Sequence, residues 1–133
     1  MSLLTLYTDG SCSPNPGSGG WGFVGLIDGK EIHVSGGKDD TTNNVMELTA
    51  VIEGLDYFRD HMNVHIYTDS TYVMNCGKGV WKRAKNVELW RKFDIVSKNR
   101  RIQWTWVKAH NGDKYNEIVD QLAKKEMIKN KKS

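Results

Sequence analysis

The chain has 133 residues, 38% of them hydrophobic and 26% charged, with a formal net charge of +3. That length suits one domain around one core, and no apolar run is long enough to span a bilayer. Two cysteines, Cys12 and Cys76, are too few for a disulfide framework or a zinc site, and the opening "MSLLTLYTDG" has no basic n-region, so a reducing, cytoplasmic setting is expected.

"LLTLYTD" alternates apolar and polar residues and reads as a strand ending near Asp9. "GSCSPNPGSGG" is a loop by composition. "WGFVGLI" and "KEIHVSGG" are two further strands, joined by the hairpin signal Asp28-Gly29. From Asn43 the period changes: Val45, Leu48, Ile52 and Leu55 fall at helical spacing, which predicts a helix to about Phe58. "NVHIYTD" is a fourth strand ending near Asp69, and Ser70 is placed to cap a short helix. "NVELWRKFDIVSKN" is another helix, and "RIQWTWVKA" a fifth strand with Ile102, Trp104 and Trp106 on one face. "DKYNEIVDQLAKKEMIKN" is the last helix, carrying Ile118, Val119 and Leu122. Three meandering strands followed by β-α units predict an α/β fold with a five-stranded mixed sheet and helices packed on it.

Two segments end alike: "LYTDGS" at 6–11 and "IYTDST" at 66–71. A right-handed crossover through the first long helix would set the fourth strand parallel to the first, bringing Asp9 and Asp69 together at the carboxyl edge of the sheet. Two carboxylates about 4 Å apart repel by roughly 4 kcal/mol at an effective dielectric of 20. A shared proton or a cation would offset that, and oxygen ligands without a Cys or His cluster favour Mg²⁺ or Mn²⁺. Each Asp taken singly reads more simply as a turn or helix cap. Glu47 has an ordinary reading as the acid of an Asn44-x-x-Glu47 capping box in the first helical turn. Asp120 has one as the partner of Lys124 at i,i+4, although it borders the apolar face. His110, in the loop "VKAHNGD", is placed to shuttle protons.

"YTDGSCSPNPGSGGWG", "TTNNVMEL", "YTDSTYV" and "WVKAHNGDKYNEIVDQLA", in this order, resemble the type 1 ribonuclease H family from about Leu3 to Lys125. The resemblance implies a ribonuclease H-like sheet with helices on both faces. It also implies an endonuclease that hydrolyses the RNA strand of RNA/DNA hybrids with two Mg²⁺ ions, Mn²⁺ being the alternative. Asp9, Glu47, Asp69 and Asp120 match the family's metal-binding catalytic carboxylates, and His110 its mobile-loop histidine. One ion would activate water and the other would stabilise the leaving 3′ oxygen, giving 5′-phosphate and 3′-hydroxyl ends. Asn43 and Asn44 match residues that read 2′-hydroxyls in the minor groove, Thr42 and Asn86 residues that hold a DNA phosphate, and Trp81 an aromatic that packs on DNA sugars. Asn15, Ser11 and Ser70 match backbone contacts.

Two departures stand out. Between Trp81 and Asn86 lies only "KRAK", where many bacterial members carry a long basic protrusion; Lys82, Arg83 and Lys85 keep part of its charge. Asp40 stands where the family often has a basic residue facing a DNA phosphate. The expectation is one catalytic domain over 1–128 and a flexible basic tail over 129–133 that could make up the missing grip. A free-standing monomer is expected, with RNA/DNA hybrid as partner, no membrane and no obligatory protein partner. Competing readings are a hybrid-binding module without catalysis or dependent on a partner, a DNA nuclease of the same fold, and a receiver-type phosphoacceptor. "TTNN" argues against the DNA nuclease, and the three-strand meander against the receiver.

Overall fold

The structure is a computed structural model, and it describes residues 3–109 and 111–131. Its elements are β1 (Leu4–Cys12), β2 (Gly17–Ile27), β3 (Lys30–Thr41), α1 (Asn43–Tyr57), β4 (Asn63–Thr68), α2 (Thr71–Gly77), α3 (Val87–Ser97), β5 (Arg101–Trp106) and α4 (Lys114–Lys129). The sheet order is β3-β2-β1-β4-β5. The first three strands form an antiparallel meander, whereas β4 runs parallel to both β1 and β5. Tyr7 pairs with Tyr67, so Asp9 and Asp69 lie two residues beyond matched positions, as the twin segments predict.

The core fills the space between one sheet face and α1 to α3. Leu4, Leu6, Val64 and Ile66 point from the strands onto Leu48, Val51 and Leu55 of α1, with Trp90 and Phe93 of α3 closing the side. Each such side chain stabilises by about 1.5–3 kcal/mol through burial. α4 covers the other face, with Val119, Ala123 and Met127 buried. At the end of the sheet away from the twin aspartates, Arg100 donates to the carbonyls of Leu55, Phe58, His61 and Val96, tying α1 and α3 to the connection that leads into β4.

The Gly/Pro-rich segment 10–20 is largely strand, not loop. Gly10, Ser11 and Cys12 pair with Trp21, Gly20 and Gly19, which leaves only 13–16 as the connection. The glycines there are spacers rather than turn formers. A Cβ on Gly20 would lie 2.1 Å from the Ala123 carbonyl of α4, and one on Gly10 would lie 2.3 Å from the Glu47 nitrogen of α1. Only residues without side chains let both helices settle on the sheet there. β3 likewise runs past Gly37 to Thr41, through Asp40 at φ 51° and a register shift opposite Gly17–Gly19. β5 stops at Trp106, short of Ala109. The 28–29 hairpin forms as its sequence predicts, with positive φ at both Asp28 and Gly29.

Candidate active site

Asp9 is built into β1 and only 4% exposed. Asp69 lies just beyond β4, and its carbonyl accepts a hydrogen bond from the Trp106 indole at 3.1 Å. Ser70 then caps α2 by accepting from the Val73 amide, as expected.

Glu47 does not serve a capping box. Thr42, not Asn44, caps α1 by accepting from the Val45 amide, which puts Glu47 in the second turn. Freed from the helix end, its carboxylate reaches back to the sheet and accepts from the Gly10 amide. One oxygen each from Asp9, Glu47 and Asp69 lie within 4.8 Å of one another. Asp120, on the flank of α4, lines the same cleft of about 360 Å³ and adds its negative charge beside Asp9. It also makes the pair with Lys124 that its spacing suggested, at 3.1 Å.

The electrostatics follow from this crowding. Burial pushes the Asp9 carboxyl up to about 8; a hydrogen bond from Glu47 works against the rise, while the charges of Asp69 and Asp120 add to it. Burial and the Asp9 charge hold Glu47 well above the usual carboxylate range. The two carboxyl groups lie within hydrogen-bond reach, with Glu47 as donor and Asp9 as acceptor, so each contact favours a protonated Glu47. Hard oxygen donors packed this closely, with Lys124 the one cation paired to them among the described residues, fit a divalent cation such as Mg²⁺.

The cleft wall also carries Ser11, Asn43, Asn44, Ser70 and Tyr72. Asn15 supports it from outside: its side-chain oxygen accepts from the Asn43 amide at 3.2 Å. Asn86, at φ 57°, precedes α3 and donates to the Tyr72 hydroxyl at 3.0 Å. Trp81 is 48% exposed. Thr42 and Asn86 therefore adjoin the cleft wall without lining it, and Trp81 is not among the residues that line it. His110 lies outside the described residues. Tyr72 is the residue that sequence reasoning missed. Its hydroxyl also accepts from the Trp90 indole, so it links the cleft wall to α3. A tyrosine two residues after a helix cap carries no signal of that role.

Arg83 departs from expectation as well. Instead of presenting its charge to solvent, it lies 4.5 Å above the Trp90 ring and pairs with Asp94 at 2.7 Å. The tail boundary expected at 129 falls inside the end of α4. Lys129 is its last helical residue, Asn130 caps it by donating to the Glu126 carbonyl, and the Asn130 carbonyl accepts from Ser18. Among the described residues no helix is long and apolar enough to cross a membrane.

A mixed sheet with three carboxylates meeting over its central strands offers the oxygen ligands that a metal-dependent hydrolase requires. The comparisons narrow the class. The family model described as RNase H matches residues 1–128. A ribonuclease H of a Wolbachia strain from Drosophila simulans is 45% identical, the match covering 94% of this chain and 95% of that protein. One from Anaplasma marginale is 47% identical over 95% of this chain and 91% of its own. Among solved structures, the N-terminal RNase H domain of a Mycobacterium tuberculosis protein superposes with a TM-score of 0.86 at 25% identity, covering 97% of this chain and 96% of that one. LC11-RNase H1, in complex with an RNA/DNA hybrid, gives 0.83 at 25% identity, covering 95% and 97%. The chain belongs to the ribonuclease H family, whose members are metal-dependent nucleases.

Proposed function

We propose that this chain hydrolyses the RNA strand of RNA/DNA hybrids endonucleolytically by a two-metal-ion mechanism. The observation that carries the reading is the meeting of Asp9, Glu47 and Asp69 oxygens within 4.8 Å at the strand ends. The hybrid bound to LC11-RNase H1 supports the substrate. Asp9, Glu47, Asp69 and Asp120 would hold Mg²⁺, with Mn²⁺ as the alternative. Bound there, the cations would supply an activated water and charge neutralisation at the scissile phosphate. Attack of water on phosphorus, with departure of the 3′ oxygen, leaves 5′-phosphate and 3′-hydroxyl ends.

The remaining roles belong to the chain itself. Asn43 and Asn44 offer amide donors and acceptors from the cleft wall, suited to 2′-hydroxyls. Asn15 fixes the Asn43 backbone, and Thr42, Asn86 and Trp81 grip the DNA strand from the rim. His110 moves protons or assists product departure. The test is cleavage of a labelled RNA strand with Mg²⁺, in hybrid, single-stranded and RNA-duplex form, beside an EDTA control. Cleavage confined to the hybrid and lost with EDTA supports the proposal. No cleavage by the folded protein would leave a partner-dependent or binding-only module.

Two expectations concern how the hybrid is held. Asp40 is exposed, at φ 51°, two residues before Thr42. Asn tolerates that left-handed backbone, so Asp40→Asn removes the charge without strain. KM for hybrid should fall about twofold to fivefold at low salt, and the gain should vanish near 1 M salt, where exposed charges are screened. The tail is tested by Lys129→Gln with Lys131→Gln, because truncation before Asn130 would remove the α4 cap. If both lysines meet phosphates, the slope of log affinity against log salt should shrink by up to about 2. An unchanged slope would show that the tail takes no part.

A further inference from the structure

Residues 78–86 join α2 to α3 without regular structure, and they hold Trp81, a proposed contact to the DNA strand. The two halves of this segment are anchored differently. In the first half, the amides of Lys78, Gly79, Val80 and Trp81 donate to the carbonyls of Met74, Cys76 and Asn75 at the end of α2. In the second half, the backbone makes one internal bond, Ala84 to Lys82. Lys82, Ala84 and Lys85 are exposed; only Arg83 and Asn86 turn inward. Arg83 donates through Nε to the Cys76 carbonyl at 3.0 Å and through Nη1 to Asp94 at 2.7 Å. Its guanidinium lies 4.5 Å from the Trp90 ring centre and 5.5 Å from that of Phe93. One side chain thus joins the end of α2, the face of α3 and the middle of the connecting segment. A planar guanidinium can stack and donate in two directions at once, which an ammonium cannot.

We propose that Arg83 is a positioning residue for hybrid binding: it latches the 82–86 segment onto α3, so that Lys82 and Lys85 meet the nucleic acid pre-ordered beside Trp81. The inference rests on the hybrid-nuclease reading above. It assigns to the short connection a grip of its own, achieved by order rather than by added charge. A loosened segment would have to be ordered on binding, which weakens affinity and leaves the chemical step alone.

The test compares the unaltered protein with Arg83→Lys and Asp94→Asn in steady-state hybrid cleavage with Mg²⁺, well below the melting temperature, together with limited trypsin digestion. Asp94 is an exposed residue, so its variant keeps the fold. Both variants should raise KM about threefold to tenfold, with kcat within twofold, and both should be nicked faster after Lys82 and Lys85. The Asp94 variant is decisive. If Arg83 touched phosphate itself, removing its acidic partner would lower KM, which overturns the latch. Lower melting temperatures with unchanged KM and nicking would make Arg83 merely structural and also overturn it. Failure of the unaltered protein to cleave would instead overturn the hybrid-nuclease reading, and the latch with it.

Discussion

Asp9→Asn should lower kcat/KM for hybrid cleavage by about a thousandfold or more, with an unchanged circular dichroism spectrum. The side chain is 4% exposed and faces Glu47, Asp69 and Asp120 together. Asparagine keeps its shape and one oxygen but loses the charge that makes that oxygen a ligand for a hard cation. Glu47→Gln should behave the same way, because its carboxylate completes the same cluster from α1. An acid outside the cluster is the control. Asp56, exposed and paired with Arg59 at 3.1 Å, should tolerate Asn with activity unchanged. Retention of a tenth of the activity by Asp9→Asn would remove Asp9 from the site.

The sheet and the pairing of its two aspartates were legible because they depend on period and repetition. Alternation marks β1 and β4, and the shared Tyr-Thr-Asp ending fixes their register. The Gly-rich stretch misled because glycine serves two purposes. A turn needs its positive φ, but Gly10 and Gly20 are needed for the space they leave to helices distant in sequence. Glu47 could not be resolved from its own segment either. Whether it caps a helix or reaches the sheet depends on which neighbour caps, and Thr42 takes that place. Arg83 sat in a basic run and read as part of the charge that remains where the protrusion is missing; its stacking on Trp90 and Phe93 is a tertiary fact with no local mark. Composition can count charges, but it cannot say which of them face inward.

Without divalent cation, the unaltered protein should lose stability as pH rises from about 4 to about 9, relative to Asp9→Asn. The Asp9 carboxyl is pushed up to about 8 in the folded chain, against 3.8 as the ordinary value. Between those values the folded state holds a proton that the unfolded state has released, so stability falls as pH rises. The contribution is complete below about 4 and gone once pH passes the folded value. Glu47, held high by burial and by Asp9, acts in the same direction. Asparagine cannot ionise, so the variant escapes the penalty. At pH 5 the gap between the two proteins should be much smaller than at pH 9, because most of the pH range over which only the unfolded state has released the Asp9 proton lies above 5. At pH 9 in EDTA the variant should be more stable by on the order of 1–4 kcal/mol, the upper figure being the repulsion of two carboxylates about 4 Å apart. For a domain of this size that is about 3–5 °C for each kcal/mol. Millimolar Mg²⁺ should reverse the order at pH 9, because a ligand that binds only the folded state stabilises it, and Asp9→Asn has lost a ligand oxygen's charge. Melting curves at pH 5 and pH 9, with Mg²⁺ and with EDTA, read all of this without an activity assay. Equal melting at both pH values would mean that the cluster carries no unrelieved charge. The four acids would then not be a site waiting for a cation.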